Sequence, residues 1–347
     1  MAIRYFIRDI IMAIKYLIVF LCPTSSLAQQ DSILISNGDR LNGEILKMDK
    51  GILYLDAEYA DSEFKITWDQ VISLKTDRSF LILLSNGKRI HFDSINYQKI
   101  DKSFVLKNKH NYILGDSVEI VFLRPVEDKF VSRFDATISA GYNYTKSTSL
   151  KQLSIATTTT YNSKYWTGES EFTYVLNSQD QVVDTHRTEL DTKFSHHLDK
   201  NYFIFYGMKL LSVSEMNLNL RMTHKLGVGR YFIRNNSMYF AAGLGLVWNN
   251  ETYNLENKFS RNSGEFLANV EVNYFNIDNL NLLARLNYYP SMTEKSRFRL
   301  DFNFDAKYDL PLDLFIKLTY KYNYDSKPLE RTLKDDYVLQ TVIGWEF

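Results

Sequence analysis

From residue 297 to its end the chain alternates. One side of residues 297–309 carries Arg297, Arg299, Asp301, Asn303, Asp305, Lys307 and Asp309; the other carries Phe298, Leu300, Phe302, Phe304, Ala306 and Tyr308. A period of two sustained over such a run dictates a β-strand with an apolar face and an ionic face. The next run sets Leu312, Leu314, Ile316, Leu318, Tyr320, Tyr322 and Tyr324 against Asp313, Lys317, Thr319, Lys321 and Asn323, and the last ends on Tyr337, Leu339, Thr341, Ile343, Trp345 and Phe347. Strands of soluble domains usually run to about 5–6 residues. Tilted strands of roughly twice that length fit a bilayer. The pattern therefore implies an all-β chain built on a transmembrane β-barrel.

The same alternation runs back to Ser132 and predicts twelve long strands over 132–347. Their apolar faces include Phe134, Ile138 and Tyr142 in the first strand, and Leu218, Leu220, Met222, Leu226 and Val228 in the sixth. Those faces carry almost no charge. A soluble sandwich would need polar outer faces, whereas a charge at mid-bilayer costs roughly 2–4 kcal/mol. His224 interrupts the sixth face, which implies either a local bulge or a wrong register there. Connections alternate between tight turns (162–164, 199–200, 235–236, 276–279, 310–311) and longer loops (145–150, 177–186, 249–263, 290–296, 325–336), with only the link near Ser214-Glu215-Met216 shorter than its slot predicts. Outer-membrane barrels keep their short turns periplasmic, and an even strand count returns both barrel ends to that side.

Bulk composition agrees. Net charge is zero and mean hydropathy is −0.27, as expected when only alternate residues face lipid. The 24 Tyr and 23 Phe suit aromatic girdles. The lack of a basic excess argues against a nucleic-acid partner, and no apolar run reaches the roughly 18 residues of a membrane-spanning helix.

Residues 1–28 read as an export signal. Lys15 precedes the apolar run from Tyr16 to Leu21, and Ser26-Leu27-Ala28 resembles a small-residue cleavage site. Met12 makes a tidier start than Met1. The single cysteine, Cys22, lies inside this signal; a lipoprotein reading of it is the alternative to cleavage after Ala28. Cleavage there leaves a mature chain with no thiol chemistry.

Residues 29–124 hold shorter strands and an internal echo: the run from Ile35 to Arg40, with Asn37-Gly38, returns 49 positions later as Leu84 to Arg89, with Asn86-Gly87. Asn-Gly between apolar runs is a hairpin signal in which both central residues take positive φ. Two small barrels follow, over 29–77 and 78–124, with 125–131 as linker. The stretch Gly38 and Leu41-Asn42-Gly43-Glu44-Ile45 resembles the start of an Sm-like fold, so the modules are expected to be SH3-like or Sm-like.

At the far end, Ile343, Trp345 and Phe347 resemble the terminal strand that barrel-assembly machinery recognises in Gram-negative outer-membrane proteins. The preceding strand pattern, and the entry Phe134 to Tyr144, resemble the salt-induced outer-membrane protein family, a domain of unknown function. The resemblance implies outer-membrane lipid, lipopolysaccharide and the assembly machinery as partners. It carries over no catalytic residue.

The inward faces give the candidate site, a lumen network of Glu169, Glu171, Arg187, Glu189, Asp191, Lys193, Arg221, Lys225, Arg285, Arg297, Arg299, Asp301, Asp305, Lys307, Lys317 and Lys321. Twelve tilted strands give a backbone radius of about 12 Å. Mixed charges at that diameter are expected to pair across the bore, leaving it filled or narrow with weak ion selectivity. Gly227, Gly229, Gly243 and Gly245 face inward as well, with Phe203 and Phe205 expected to lie over them.

Acid–base chemistry needs a raised pKa. Here Arg187 and Lys193 sit beside Glu189 and Asp191, which favours ion pairing over a hydrolase or acyltransferase. Neighbours on a strand point apart, so His196-His197 with Asp199 is not expected to bind a metal. No cofactor is expected. The sequence points to a porin-like, narrow or gated pore for small solutes or ions, with periplasmic β modules. The alternative is a structural or assembly component that docks a periplasmic partner.

Overall fold

The computed structural model describes residues 31–60, 63–99, 103–108, 111–116, 119–126, 133–145, 149–254, 259–277, 279–328 and 333–346. The expected signal segment with Met12 and Cys22, most of the expected linker, and Phe347 lie outside these residues. The described chain is all-β.

The amino-terminal part holds eleven strands: β1 (Asp31–Ile35), β2 (Arg40–Asp49), β3 (Ile52–Asp56), β4 (Phe64–Thr67), β5 (Val71–Thr76), β6 (Phe80–Leu84), β7 (Arg89–Phe92), β8 (Ser94–Gln98), β9 (Ser103–Asn108), β10 (Asn111–Asp116) and β11 (Ile120–Pro125). The 49-residue echo is structural. Ile33 pairs with Leu74 in β1–β5, and Ile82 pairs with Leu123 in β6–β11, each partner shifted by the same interval.

The closing strands, however, are exchanged between the repeats. β5 of the first pairs with β8 of the second at Leu74–Tyr97, and β11 of the second pairs with β2 of the first at Leu123–Met48. The two expected modules thus form one eleven-stranded sheet. A single buried core serves both, drawing Ile33, Ile45, Leu53 and Trp68 from one copy and Phe80, Ile82, Phe92 and Phe104 from the other. Module boundaries at 77 and 78 follow the repeat but do not separate two cores. Only the glycine of each Asn-Gly turn takes positive φ, at 92° for Gly38 and 88° for Gly87. Gly38 N–H donates to Ile35 O and Gly87 N–H to Leu84 O, which makes each loop a type I turn closed by a left-handed glycine.

Twelve further strands close into an antiparallel barrel: β12 (Phe134–Thr145), β13 (Leu150–Asn162), β14 (Trp166–Ser178), β15 (Thr185–His197), β16 (Tyr202–Val213), β17 (Leu218–Arg234), β18 (Met238–Tyr253), β19 (Phe259–Ile277), β20 (Leu280–Pro290), β21 (Phe298–Asp309), β22 (Leu314–Asp325) and β23 (Asp335–Glu346). The seam is β12 on β23, with Ile138 opposite Trp345 and Ala140 opposite Ile343. The predicted lipid faces are outside. Leu244 is 67% exposed and Ile343 60%, amid a surface of Leu, Ile, Val, Phe, Tyr and Trp. An apolar belt of this extent is what a bilayer, not water, covers.

Two local readings change. Leu218 is buried rather than lipid-facing, because a bulge between Leu218 and Leu220 turns it inward against Leu211, Val213, Met216 and Tyr253. His224 needs no bulge. It lies on the outer face between Met208 and Trp248, stacks on the Trp248 ring at 5.8 Å, and its Nδ1 meets the Tyr206 hydroxyl at 2.7 Å.

Candidate functional site: the charged lumen and its covered mouth

Alternation carries every second side chain of the barrel into the bore, and the ionic faces meet there. Near the long loops, Arg297 is fully buried and contacts Glu251 at 3.0 Å and Asp325 at 2.5 Å. Arg221 adds a 2.9 Å bond to the same Glu251, which also accepts from Asn249 and Tyr253. Arg299 pairs with the fully buried Glu265 at 2.7 Å.

A second layer crosses the bore. Lys209 of β16 reaches Asp301 of β21 at 3.3 Å and Glu189 at 3.2 Å; Lys321 of β22 reaches Glu171 of β14 at 2.9 Å. Arg187 joins Glu189 to Asp336 of β23. Buried charges are tolerated only when paired and hydrogen-bonded, and these are. Together the two layers fill the long-loop half of the bore.

The short-turn half is looser. Arg285 bonds Glu271 at 2.8 Å and approaches Glu169 at 3.9 Å, while Lys193 approaches Glu271 at 3.9 Å. Lys225 meets Asp191 at 3.6 Å, Asp305 accepts from Thr319 at 2.6 Å, and Lys307 pairs with Asp309 at 3.0 Å. Lys317 faces the same space. All sixteen residues expected in the lumen are thus inward, and most are joined in pairs.

Sequence reasoning missed Glu251, Asp325 and Asp336, which fall in stretches read as loops. β18 runs on to Tyr253, β22 reaches Asp325, and β23 starts at Asp335, so these carboxylates are strand residues. The inward parity of Asp325, shared with Lys321 and Asn323, was the available signal.

An apolar patch interrupts the ionic lining where the glycines cluster. Gly227 faces Gly245 and Gly229 faces Gly243 across β17–β18, and the rings of Phe205 and Phe203 lie over them. A third such pair, Phe315 over Gly344, was not anticipated. Of the terminal signature, Ile343 and Trp345 face outward, 60% and 50% exposed.

The eleven-stranded sheet meets the barrel at the short-turn end. Asn201 Nδ2 donates to Ser85 O at 2.9 Å, Arg89 Nη1 to Ser163 O at 2.7 Å, and Asn236 Nδ2 to Ile120 O at 3.0 Å. Asp135, at the start of β12, holds Lys47 at 3.1 Å and Arg124 at 2.9 Å; Lys65 reaches Asp313 at 2.8 Å. Between the sheet and the ion-pair layers lies a chamber of about 430 Å³, lined from the sheet by Lys47, Asp49, Lys50, Leu83, Arg89 and Phe122 and otherwise by the barrel.

Residues 131–347 match the family described as "Protein of unknown function, DUF481". The chain belongs to the DUF481 family. No curated protein matches it. Among solved structures, the DUF481 chain is similar to the NanC porin, with 11% identity and a TM-score of 0.38 over 61% of this chain and 98% of that one. It is also similar to the translocator domain of the autotransporter NalP from Neisseria meningitidis (11% identity, TM-score 0.35, 62% and 87% of the two chains). The β domain of the Bordetella autotransporter BrkA matches at 10% identity and a TM-score of 0.33, over 62% and 97%.

Proposed function

We propose that this DUF481 protein is an outer-membrane pore for small polar solutes, held closed at both ends, with its amino-terminal sheet on the periplasmic side. One observation carries the reading: a polar chamber remains inside the barrel, between a layer of cross-bore ion pairs and a sheet laid over the short-turn mouth. A barrel serving only as a membrane anchor has no use for such a space. The short turns support a periplasmic sheet, as outer-membrane barrels keep them on that side. A non-catalytic role accompanies this reading. Glu169, Glu171, Glu189 and Asp191 each stand near a cation, so none is set up as a proton donor. The outward Ile343 and Trp345 are assigned to recognition by the assembly machinery.

Planar-bilayer recording tests the pore. The full chain should conduct weakly or stay silent. The double variant Lys209→Ala/Asp301→Ala, which removes a cross-bore pair, should conduct several times more. Large conductance by the unaltered chain, or no gain in the variant, would reject the reading.

A second reading, a structural component that docks a periplasmic protein, is favoured by the first hairpin. Gly38 has open space around it, whereas its counterpart Gly87 lies against Asn201 of the barrel. Co-purification of a partner that is lost on substituting Asn37 and Asp39 would support that role.

A further inference from the structure

Two guanidiniums meet at the covered mouth with no carboxylate to balance them. Arg89 comes from the sheet and Arg234 from the end of β17, and both line the chamber. Among the described residues, neither forms an ion pair. Arg234 is 8% exposed. Its Nη1 donates to Asn201 Oδ1 at 3.2 Å, its plane stacks on the Tyr231 ring at 3.6 Å, and its buried Nε has no acceptor. Arg89 repeats the arrangement, with Nη1 on Ser163 O and a buried Nε without an acceptor. Burial, and then the neighbouring Arg234 charge, push Arg89 down to about 10. His197 stands beside them with its Nε2 engaged by Thr167 Oγ1 at 2.9 Å.

Backbone irregularity puts Arg234 there. On an unbroken β17 it would share the outward parity of Leu226 and Val228. The register shifts between Tyr231 and Ile233, leaving Phe232 and Ile233 both outside and turning Arg234 into the bore opposite Tyr239. Bulges commonly re-aim a side chain beside a functional site. Most of the chamber's acids are committed elsewhere: Glu271 to Arg285, Asp191 to Lys225, Glu171 to Lys321, and Asp135 to Lys47 and Arg124, while Asp305 accepts from Thr319. Asp49 lines the chamber but reaches ion-pair distance of neither arginine. Two neighbouring like charges, each with a buried and unused donor, are costly unless something anionic joins them.

We propose that the chamber binds a small oxyanion, a carboxylate or phosphate, between Arg89 of the sheet and Arg234 of the barrel. Guanidinium matches these groups through paired N–H donors. The single Nη1 tether of each arginine lets its free edge turn toward the ligand. Because one arginine belongs to the cover and the other to the wall, the bound anion fastens the cover in place. The proposal deepens the pore reading by naming the ligand class, yet it rests on the chamber and not on passage through it.

The test is binding of sodium phosphate and of sodium succinate to the refolded full chain in detergent. Ionic strength is held constant with sodium chloride, and the readouts are calorimetry and the thermal unfolding midpoint. At least one anion should bind saturably and raise the midpoint. Arg89→Gln and Arg234→Gln should each weaken binding at least tenfold, Arg234→Lys less so, and Lys65→Gln not at all. Unboiled electrophoresis verifies that each variant keeps its barrel. No saturable binding by the unaltered chain, or unchanged binding in both glutamine variants, would overturn the proposal. Binding with no conductance gain in Lys209→Ala/Asp301→Ala would uphold it while rejecting the pore; that gain without binding would do the reverse.

Discussion

The ring of Phe205 covers Gly227 across β16–β17, so closely that a Cβ added to the glycine would lie 2.6 Å from the phenyl Cζ. The aromatic fills the space left by a residue without a side chain, and it packs with Phe203, Val247, Leu267 and Tyr289 inside the bore. Phe205→Ala opens that packing and should cost about 3 kcal/mol, as for other buried Phe truncations. Lipid-facing Phe302→Ala leaves the bore untouched and should cost about 1 kcal/mol. The temperature at which unboiled samples lose their folded electrophoretic mobility measures both, and equal temperatures would contradict the packing argument.

Gly38 and Gly87 occupy equivalent turns with nearly equal φ, so an alanine at either carries the same left-handed strain of about 1–2 kcal/mol. Their surroundings differ. A Cβ on Gly38 meets nothing, while one on Gly87 would stand 2.5 Å from the Asn201 backbone nitrogen. Gly87→Ala should therefore lift the sheet from the barrel and speed its proteolysis, and Gly38→Ala should not. Limited trypsin digestion of the two variants in detergent distinguishes them.

Arg297 neutralises Glu251 and Asp325 at a fully buried position. Removing one partner of such a group strands the others, typically at about 3–5 kcal/mol. Arg297→Ala should lower the unfolding midpoint by more than any exposed lysine substitution, and should raise conductance if the bore opens there. Arg297→Ala/Glu251→Leu should recover part of the loss, because fewer uncompensated charges remain.

Asp135 holds Lys47 and Arg124 of the sheet while belonging to the barrel itself. These groups are partly exposed, so salt screens them. Asp135→Asn should weaken docking by about 1–2 kcal/mol at low ionic strength and by less in concentrated salt. Protease release of the sheet fragment, followed against sodium chloride concentration, gives the comparison.

The barrel was legible because a period of two writes each face directly into the chain. The outward Ile138, Leu244 and Ile343, the inward Lys209 and Lys321, and the rings over the glycines all follow from parity. Parity fails wherever the ladder slips. Arg234 and Leu218 sit on the wrong side of any strict alternation, because each follows or precedes a bulge that no composition signal marks. Glu251 and Asp325 were missed for another reason: β18 and β22 continue into polar residues beyond the apolar band, and such ends look like loops. In the amino-terminal part, the 49-residue interval was visible, but not which repeat supplies each closing strand. Leu74 beside Tyr97 and Leu74 beside Met48 would bury the same apolar residues, so local pattern is indifferent between them.

The exchange of closing strands has a consequence for how this region could have arisen and how it comes apart. Its layout is that of a swapped homodimer written as one polypeptide. A solitary copy that kept this pairing would leave two strand margins unpaired, so it would need either a twin or closure of its own β5 onto its own β2. For the present chain, deleting either copy should undo both, and the region should melt in a single transition.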